Sequence, residues 1–299
     1  MAWRTVLISS PARLRIDNDR LVVIQDEEIP LPLEDIAVLM LETAQVSLSA
    51  AVLARLAERG AAVIVCGPNH LPLAQMTPFA GHSRASGVQR IQLAAGVPFR
   101  KRCWQSVVRA KILNQARCLK LLGRDGADAV AALAGRVTSG DTTNVESAAA
   151  REYFRRLFGG DFSRGAEDGA NAALNYGYAV LRAGVARSLA AHGFILTQGI
   201  HHHSELNPFN LADDFLEPLR PCADLMAASF SPAPDTLDKE HRAALAGLLG
   251  AEVAVNGQAQ SVMYAIDLMC ASFGTALRAG DARLLKLPEL LPLAAHEYE

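Results

Sequence analysis

Several features that would mark a membrane or secreted protein are missing from this sequence of 299 residues. No stretch offers the roughly 18 uncharged apolar residues that a membrane-spanning helix needs. The first residues, MAWRTVLISSPARL, lack the basic segment and following apolar segment of a secretory signal. Apolar residues make up 51% of the chain, and its length favours two domains with substantial cores. We therefore expect a packed cytoplasmic protein that makes no contact with a membrane.

Cysteine motifs and glycine-rich phosphate loops are also absent. The five cysteines are scattered and include no CxxC pair, which argues against a zinc cluster or a redox motif. We expect them to be buried thiols. No glycine loop of the P-loop or dinucleotide-binding type is present. Ser9, Ser10 and Ser83 lack the glycine elbow that presents a nucleophilic serine, so a serine or cysteine hydrolase is not indicated.

Acidic residues are missing from one long segment, because no Asp or Glu occurs between Arg59 and Arg124. The eleven basic residues of this segment are Arg59, Arg84, Arg90, Arg100, Lys101, Arg102, Arg109, Lys111, Arg117, Lys120 and Arg124. One interpretation is a surface that binds a polyanion through the release of counterions. The other is a set of helix faces whose acidic partners come from elsewhere in the fold. The sequence alone favours neither.

The N-terminal part of the chain is rich in strand signals. The segments TVLISS, ARLRIDNDRLVVIQ and IPLPLEDIAVLMLE alternate or cluster apolar and β-branched residues, and Asp17-Asn18-Asp19 marks a hairpin turn. SLSAAVLARLAERG has helical spacing, whereas AAVIVCG and HLPLAQM each indicate a further strand. We predict a small β-rich domain over 1–77, followed by a linker over 78–86 that is marked by proline, glycine and serine.

Beyond the linker the pattern is helical. Apolar residues recur at helical spacing in seven segments, which are 87–96, 99–122, 126–137, 144–158, 168–191, 236–249 and 256–278. Thr143 or Asn144 is predicted to cap the fourth of these helices, and Gly193 to end the fifth. The predicted fold is therefore α+β, with two domains, the larger of which is all-α and covers 87–299.

The densest group of possible metal ligands lies between Gly199 and Pro221. This stretch, GIHHHSELNPFNLADDFLEPLRP, contains three histidines and four carboxylates. Imidazole with carboxylates suits Mn²⁺ or Mg²⁺ with waters, or Zn²⁺ if a third nitrogen ligand joins. Asp214 and Glu217 share one helix face, although Pro218 must kink or delay that helix. The alternative is a solvated loop before a helix whose acidic start favours the helix dipole.

Glu146 is a second acidic candidate, in the first turn of a predicted helix. The residues that follow it are Ser147 and three alanines, which leave space beside its side chain. The alternative function is structural, since Glu146 can stabilise the helix dipole and complete a capping box with Thr143. The residues alone leave both interpretations open.

Together, these motifs resemble the CRISPR-associated endonuclease/integrase family, the larger subunit of the complex that inserts new spacers, and are most similar to its type II members. The motifs, in order, are IPLPLEDIAVLMLE, SLSAAVLARLAERGAAVIVCG, LPLAQM, NVESAAAREYF, GANAALNYGYAVLRAGVARSLAAHGF and GIHHHSELNPFNLADDFLEPLRP. The resemblance covers nearly the whole chain. Several spaced motifs in the family's order are a far more specific signal than any one of them alone.

The resemblance implies a Mn²⁺ or Mg²⁺ site whose ligands are Glu146, His202 and Glu217, with Asp214 as a further catalytic carboxylate. Among the three adjacent histidines, the family places the ligand three residues after the glycine, here Gly199, which selects His202. The implied reaction is hydrolysis or transfer of a DNA phosphodiester, in which the metal neutralises charge in the transition state.

The resemblance also implies partners. These are double-stranded DNA, a second copy of the chain bound through the β-rich domain, and a small companion subunit. The residues expected to contact DNA phosphates are Arg84, Arg100, Lys101, Arg102, Arg109 and Lys111. Two other functions stay open at this point: a metallohydrolase with a small substrate, and a non-catalytic DNA-binding scaffold.

Overall fold

The computed structural model describes residues 4–76, 82–230 and 235–296. Its N-terminal part contains eight strands and one helix, α1 (Ala50–Glu58). The strands are β1 (Arg4–Ile8), β2 (Ala12–Asp17), β3 (Arg20–Ile24), β4 (Glu28–Pro32), β5 (Ile36–Leu41), β6 (Val46–Leu48), β7 (Ala62–Cys66) and β8 (Pro72–Met76). They form two four-stranded sheets with the orders β1-β5-β7-β8 and β4-β3-β2-β6. The predicted β-rich start of the chain is confirmed.

The predicted hairpin is present between β2 and β3, which pair in antiparallel register from Asp17 opposite Arg20. Asn18 and Asp19, the two residues of the turn, both have positive φ angles, of 45° and 63°. Asn and Asp tolerate this left-handed conformation better than most residues, which is why they suit a two-residue hairpin turn.

Strand β5 joins the two halves of the molecule. All of its six residues are buried, and β1 and β7 flank it in parallel. Ile36, Leu39 and Leu41 belong to the core of the β-rich domain, whereas its other three side chains join the core of the helices. A strand that is buried on both faces is expected to be apolar throughout. The sequence of β5, IAVLML, has this pattern.

The rest of the described chain is mainly helical. Its helices are α2 (Ala85–Leu93), α3 (Val97–Leu121), α4 (Ala127–Ala134), α5 (Val145–Phe158), α6 (Gly169–Ala191), α7 (Asn210–Leu216), α8 (Arg220–Ser229), α9 (Lys239–Ala246) and α10 (Val262–Ala279). The buried Trp104 of α3 and Tyr176 of α6 lie within their common core. No helix among the described residues is long and apolar enough to cross a bilayer.

The all-α prediction for the second domain is wrong in one region. Strands β9 (Ala251–Val255), β10 (Gln258–Ser261) and β11 (Glu289–Ala295) form a small antiparallel sheet. The predicted helix 256–278 therefore begins only at Val262. The turn between β9 and β10 is Asn256-Gly257, and both residues have positive φ angles. This dipeptide is a strong hairpin signal, and it overrides the helical spacing nearby.

The predicted linker over 78–86 is only partly within the described residues. Residues 78–81 lie outside them, and α2 already begins at Ala85. Gln92 of α2 binds the loop that follows α6, because its side-chain nitrogen donates to the carbonyl oxygens of Ile195 and Gln198, both at 2.9 Å. The described end of the linker is thus part of the helical domain.

The break that Pro218 was expected to impose is present. Helix α7 ends at Leu216, a 3-10 turn covers Glu217–Leu219, and α8 continues from Arg220. Asn114 of α3 holds this turn, since its amide nitrogen donates to the carbonyl oxygen of Pro218 at 2.7 Å. Asn114 is 2% exposed, so this hydrogen bond satisfies polar groups that water cannot reach.

Candidate metal centre

Two glutamates from separate elements meet at one buried lysine. Lys111 lies in the middle of α3, and its ammonium nitrogen is 2.6 Å from Glu146 Oε1 and 2.5 Å from Glu217 Oε2. Lys111 is 7% exposed. Glu146 comes from the first turn of α5 and Glu217 from the 3-10 turn after α7. The fold therefore brings together the two glutamates that the sequence singled out.

The start of α5 is capped without Glu146. Asn144 is the N-cap residue, with φ 52°, and its side chain accepts a hydrogen bond from the backbone N–H of Ser147. The carboxylate of Asp141 accepts from the backbone N–H groups of Val145 at 3.0 Å and Glu146 at 2.9 Å. The capping box between Thr143 and Glu146 does not form, and the Glu146 side chain is left to face Lys111.

Glu217 is a buried carboxylate between two cations. Its Oε1 accepts from Arg220 Nε at 2.8 Å, and only 5% of its side chain is exposed. Burial opposes ionisation of this carboxyl, but the charges of Lys111 and Arg220 outweigh it and lower its pKa to about 2. Its Oε2 makes no hydrogen bond of good geometry within the described residues, although Lys111 lies close to it. Glu217 is therefore an ionised carboxylate whose Oε2 faces the Lys111 ammonium.

The histidine loop wraps around Asp214, which is fully buried. The carboxylate of Asp214 accepts from the backbone N–H groups of Ile200 at 2.6 Å, His201 at 3.2 Å and His202 at 3.0 Å. Gly199 permits this tight path, since a Cβ there would lie 2.2 Å from the His202 carbonyl oxygen and 2.7 Å from Asp214 Oδ2. Asp214 thus anchors the loop, and its filled oxygens do not fit the predicted role of direct participation in catalysis.

The three histidines differ in what their rings contact. His202 Nδ1 is 2.8 Å from Asp214 Oδ1, and because a carboxylate only accepts, this nitrogen carries the proton. The same hydrogen bond raises the pKa of His202. His201 instead stacks on Trp104 of α3, with ring centroids 4.0 Å apart. His203 bonds to the backbone oxygen of His201 at 2.8 Å.

The chemistry of these side chains fits a divalent metal. A histidine that gives one ring N–H to a carboxylate keeps the other nitrogen for a metal, as His202 does with Asp214. Two glutamates and one imidazole are ligands that Mn²⁺ accepts. Among the described residues, however, no three His, Cys, Asp or Glu side chains close around one point as they would around an ion. Lys111 lies between two of the three predicted ligands.

The predicted DNA-contacting residues divide into two groups. Arg84, Lys101, Arg102 and Arg109 are exposed, and Arg100 is half-buried. Lys111 differs from the prediction, because it is buried and pairs with Glu146 and Glu217 rather than facing solvent. Its position on the inner face of α3 explains the difference.

A cavity of about 220 Å³ adjoins Glu217. It is lined by Lys111, Gln115, Phe154, Arg164, Tyr178, Glu217, Arg220 and Asp224. Asp224 is buried and accepts hydrogen bonds from the hydroxyl groups of Tyr153, at 3.0 Å, and Tyr178. Burial raises the pKa of Asp224 to about 6, although the two tyrosines and nearby cations oppose that rise. Sequence patterns gave no signal for this carboxylate, because it lies within an ordinary amphipathic helix.

The chain thus has a β-rich domain followed by a mainly helical one, in which two glutamates from separate elements converge and a buried carboxylate holds a histidine ring. Comparisons with known proteins identify the family. The family described as CRISPR associated protein Cas1 matches residues 5–236. The chain is 42% identical to the CRISPR-associated endonuclease Cas1 of Neisseria meningitidis serogroup C (strain 8013), over the full length of both. This protein belongs to the Cas1 family.

Solved structures agree in fold. A casposase bound to an integration product aligns with a TM-score of 0.76 at 18% identity, covering 93% of this chain and 91% of that one. A chain of a Cas6-RT-Cas1–Cas2 complex aligns with a TM-score of 0.71 at 19% identity, covering 96% of this chain. This protein spans 36% of that longer chain. At these identities the likeness is one of fold.

Proposed function

We propose that this protein cleaves and transfers DNA phosphodiester bonds with a divalent metal, Mn²⁺ or Mg²⁺, held by Glu146, His202 and Glu217. The observation that carries the proposal is the convergence of Glu146 and Glu217 on one cationic group, at 2.6 and 2.5 Å. The fixed ring of His202 supports it, because Asp214 holds its Nδ1 at 2.8 Å. A single imidazole among oxygen ligands favours Mn²⁺ over Mg²⁺.

Each residue has a distinct task in the proposed reaction. When bound, the ion neutralises charge on the phosphoryl oxygens and assists the nucleophile. Glu146 and Glu217 supply the negative charge that holds it, and Glu217 is ionised at any physiological pH because its pKa is about 2. Asp214 acts through His202 by fixing its tautomer and its loop, and it is therefore a positioning residue.

The proposed biological reaction is the insertion of short DNA duplexes, as new spacers, into a CRISPR repeat array. The nucleophile is the 3′-OH of the incoming strand, and the bond broken is a phosphodiester of the array. Support comes from the relative in Neisseria meningitidis, which is named an endonuclease, and from the casposase bound to an integration product. The same site would use water as the nucleophile in hydrolysis.

We also propose that the protein works as a homodimer with a small companion subunit and double-stranded DNA. The Cas6-RT-Cas1–Cas2 complex supports the companion subunit, since its fold match covers 96% of this chain. Exposed basic residues on the first half of α3 support DNA contact, because Lys101 packs against Gly140, just before the Asp141 cap of α5. This brings Lys101 to the side of the protein on which Glu146 lies.

An integration assay tests the proposal. The purified protein, a companion subunit, a short duplex with free 3′-OH ends and a supercoiled plasmid carrying the repeat are incubated with Mn²⁺ or with EDTA. We expect joined products with Mn²⁺ alone, and a loss of about a hundredfold or more for Glu146→Gln, which removes a ligand but keeps the volume. The matched control is Glu152→Gln on the same helix, an exposed pair with Arg155 and Arg156.

The outcomes separate the alternatives. A DNA-binding scaffold would retain the plasmid without joining or cutting it under any metal condition. A metallohydrolase with a small substrate would hydrolyse a phosphate or carboxylate ester with Mn²⁺ while leaving DNA intact. Equal joining by Glu146→Gln and Glu152→Gln would remove Glu146 from the site.

A further inference from the structure

Lys111 is the one lysine of this chain that is buried. The other four, Lys101, Lys120, Lys239 and Lys286, are exposed. Lys111 Nζ contacts Glu146 at 2.6 Å and Glu217 at 2.5 Å. The ammonium is therefore held as a cation in the interior, where its stabilisation depends on both glutamates.

The position of this ammonium conflicts with a metal held by the same two glutamates. A divalent ion binds carboxylate oxygens at roughly 2.0–2.6 Å. Lys111 Nζ already lies within 2.6 Å of an oxygen from each glutamate. Two cations cannot share that space, since like charges at contact distance repel strongly in a buried site. A metal held by these same two oxygens, Glu146 Oε1 and Glu217 Oε2, thus requires that Lys111 leave.

We propose that Lys111 is an internal counter-ion that holds Glu146 and Glu217 together and is displaced when a divalent metal binds. In this role it is a positioning residue that keeps the half-buried carboxylate of Glu146 and the buried carboxylate of Glu217 from repelling each other, and that sets the affinity for the metal. The inference rests on the proposed function for the identity of the metal. The predicted unfolding temperature and lysine reactivity of the protein in EDTA do not depend on that function.

The structure offers Lys111 a second position. Gln115 is four residues further along α3, so the two side chains lie on the same helix face. Gln115 is 2% exposed, and its Oε1 has no hydrogen-bond partner among the described residues. Both residues line the cavity of about 220 Å³ beside Glu217, and Asp224 lines it too. The displaced ammonium would donate to Gln115 Oε1, which satisfies an acceptor that otherwise lacks a donor.

The first experiment compares Lys111→Met with Lys120→Met, an exposed lysine on the same helix. Thermal unfolding in EDTA and calorimetric titration with Mn²⁺ are measured for both and for the wild type. We expect Lys111→Met to unfold several degrees lower in EDTA, yet to bind Mn²⁺ about tenfold or more tightly, because a competing positive charge is gone. Lys120→Met should match the wild type in both measurements. If Lys111 had a purely structural role, Lys111→Met would lower the unfolding temperature without raising the affinity for Mn²⁺.

A second variant tests the resting position of the displaced ammonium. Gln115→Leu removes the acceptor but leaves the contacts of Lys111 with both glutamates unchanged. We expect its unfolding temperature in EDTA to equal or exceed that of the wild type, and its Mn²⁺ affinity to fall about threefold or more, since a displaced ammonium loses a hydrogen bond. Unchanged Mn²⁺ affinity would overturn this position for Lys111.

Labelling of the wild-type protein needs no variant and remains decisive if Lys111→Met fails to fold. Acetylation of each lysine is followed by peptide mass spectrometry, in EDTA and with saturating Mn²⁺. In EDTA, Lys111 should react far more slowly than Lys120, and Mn²⁺ should change its rate while leaving the other four unchanged, because only its ammonium moves from the two glutamates to Gln115. Equal rates for Lys111 and Lys120 in EDTA, or an Mn²⁺-stabilised protein in which the rate of Lys111 is the same as in EDTA, would overturn the proposal. Absence of any Mn²⁺ binding by wild type and Lys111→Met alike would instead contradict the proposed function.

Discussion

The three adjacent histidines have different surroundings, and each ring therefore predicts a different result on substitution. His202 donates to buried Asp214 and is the one histidine of the three with a carboxylate on its ring. We expect His202→Ala to lower strand transfer about a hundredfold, since a ligand with a fixed tautomer is lost. His203→Ala should stay near wild type, because its ring contacts only the His201 carbonyl oxygen.

His201→Ala is the informative control for this series. Its ring stacks on Trp104, so its removal should lower stability by about 1 kcal/mol while leaving metal affinity close to that of the wild type. Integration gels, Mn²⁺ titrations and urea unfolding of the three variants distinguish these effects. Greater loss of Mn²⁺ affinity in His201→Ala or His203→Ala than in His202→Ala would shift the ligand to that residue.

Asp224 predicts a pH dependence of stability. Burial raises the pKa of this carboxyl to about 6, above the usual 3.8. Stability from this group is therefore fully present below about pH 4 and is lost as the pH rises through 6, because the buried group must then ionise. Asp224→Asn removes this loss. Its free energy of unfolding, relative to the wild type, should rise by about 3 kcal/mol between pH 4 and pH 7.5.

Urea unfolding of wild type and Asp224→Asn across this pH range measures the difference directly. The conclusion depends on the change with pH, so a constant penalty from altered hydrogen bonds to Tyr153 and Tyr178 cancels. A difference that stays flat from pH 4 to pH 7.5 would mean that Asp224 ionises in the folded protein as readily as in the unfolded chain.

The residues around Glu146 mark the limit of what the sequence can predict at this scale. Family resemblance selected Glu146, whereas the residues alone favoured a structural role for it at the start of the helix. The structure gives the cap to Asn144 and Asp141. Lys111 was predicted as a phosphate contact because it stands in an acid-free segment, yet its partners come from 35 and 106 positions further along the chain. Pairing at such separation has no local sequence signal.

At the level of elements, the start of α5 depends on one carboxylate. Asp141 satisfies two backbone N–H groups of the first turn, and only 8% of it is exposed. Asp141→Ala leaves both donors without this partner and should cost about 1–2 kcal/mol of stability. Because Glu146 lies in that same turn, strand transfer should fall as well, beyond what the loss of stability explains. Asp128→Ala, in the first turn of α4, is the control.

Urea unfolding and the integration assay are measured together for this pair. We expect Asp141→Ala to be less stable than Asp128→Ala and to lose activity at temperatures where it stays folded. Full activity in folded Asp141→Ala would show that the position of Glu146 does not depend on this cap.

The bounds of a helix were predictable where capping residues and the helical spacing of apolar residues agreed. The helix predicted over 168–191 is observed as Gly169–Ala191, with Asp168 as its N-cap and Gly193 beyond its end at φ 80°. The sheet of the second domain was missed, because apolar residues at helical spacing outweighed Asn256-Gly257 in the assignment. The Pro218 break was foreseen from the missing N–H of proline, but the hydrogen bond from Asn114 to the Pro218 carbonyl oxygen was not.

For the whole molecule, the order of domains followed from the sequence, whereas the way they join did not. Glu42, at the end of β5, is buried and accepts from Arg242 Nε of α9 at 2.7 Å and from the Tyr176 hydroxyl of α6 at 3.1 Å. This ionic contact and the shared packing of β5 tie the two domains together. A charged residue at the end of an apolar strand gives no indication of its partner, since Arg242 lies 200 positions away.

The charge distribution of the whole molecule is likewise set by tertiary contacts. Within the part of the chain that the structure describes, three of the eleven basic residues between 59 and 124 form salt bridges with acids from elsewhere: Arg59 with Asp19, Lys111 with two glutamates, and Arg117 with Glu289. Exposed Lys101 and Arg102 are among the remaining eight. Part of the acid-free segment is thus paired with acids from elsewhere, and part of it is exposed and able to bind a polyanion. The proposed DNA-binding surface is therefore limited to the exposed first half of α3 and its surroundings.

This division predicts how DNA affinity depends on salt. Each phosphate neutralised by the protein adds about 0.9 to the slope of log K against log salt concentration. If Lys101 and Arg102 each contact one phosphate, the Lys101→Ala/Arg102→Ala double variant should bind all duplex sequences more weakly and lower that slope by about 2. The control is Arg13→Ala/Arg20→Ala, which removes the same charge from exposed positions of the β-rich domain. Fluorescence anisotropy with two unrelated duplexes at several salt concentrations measures both quantities. Equal slopes for the two double variants would move the DNA path away from the start of α3, toward Arg84 or Arg109.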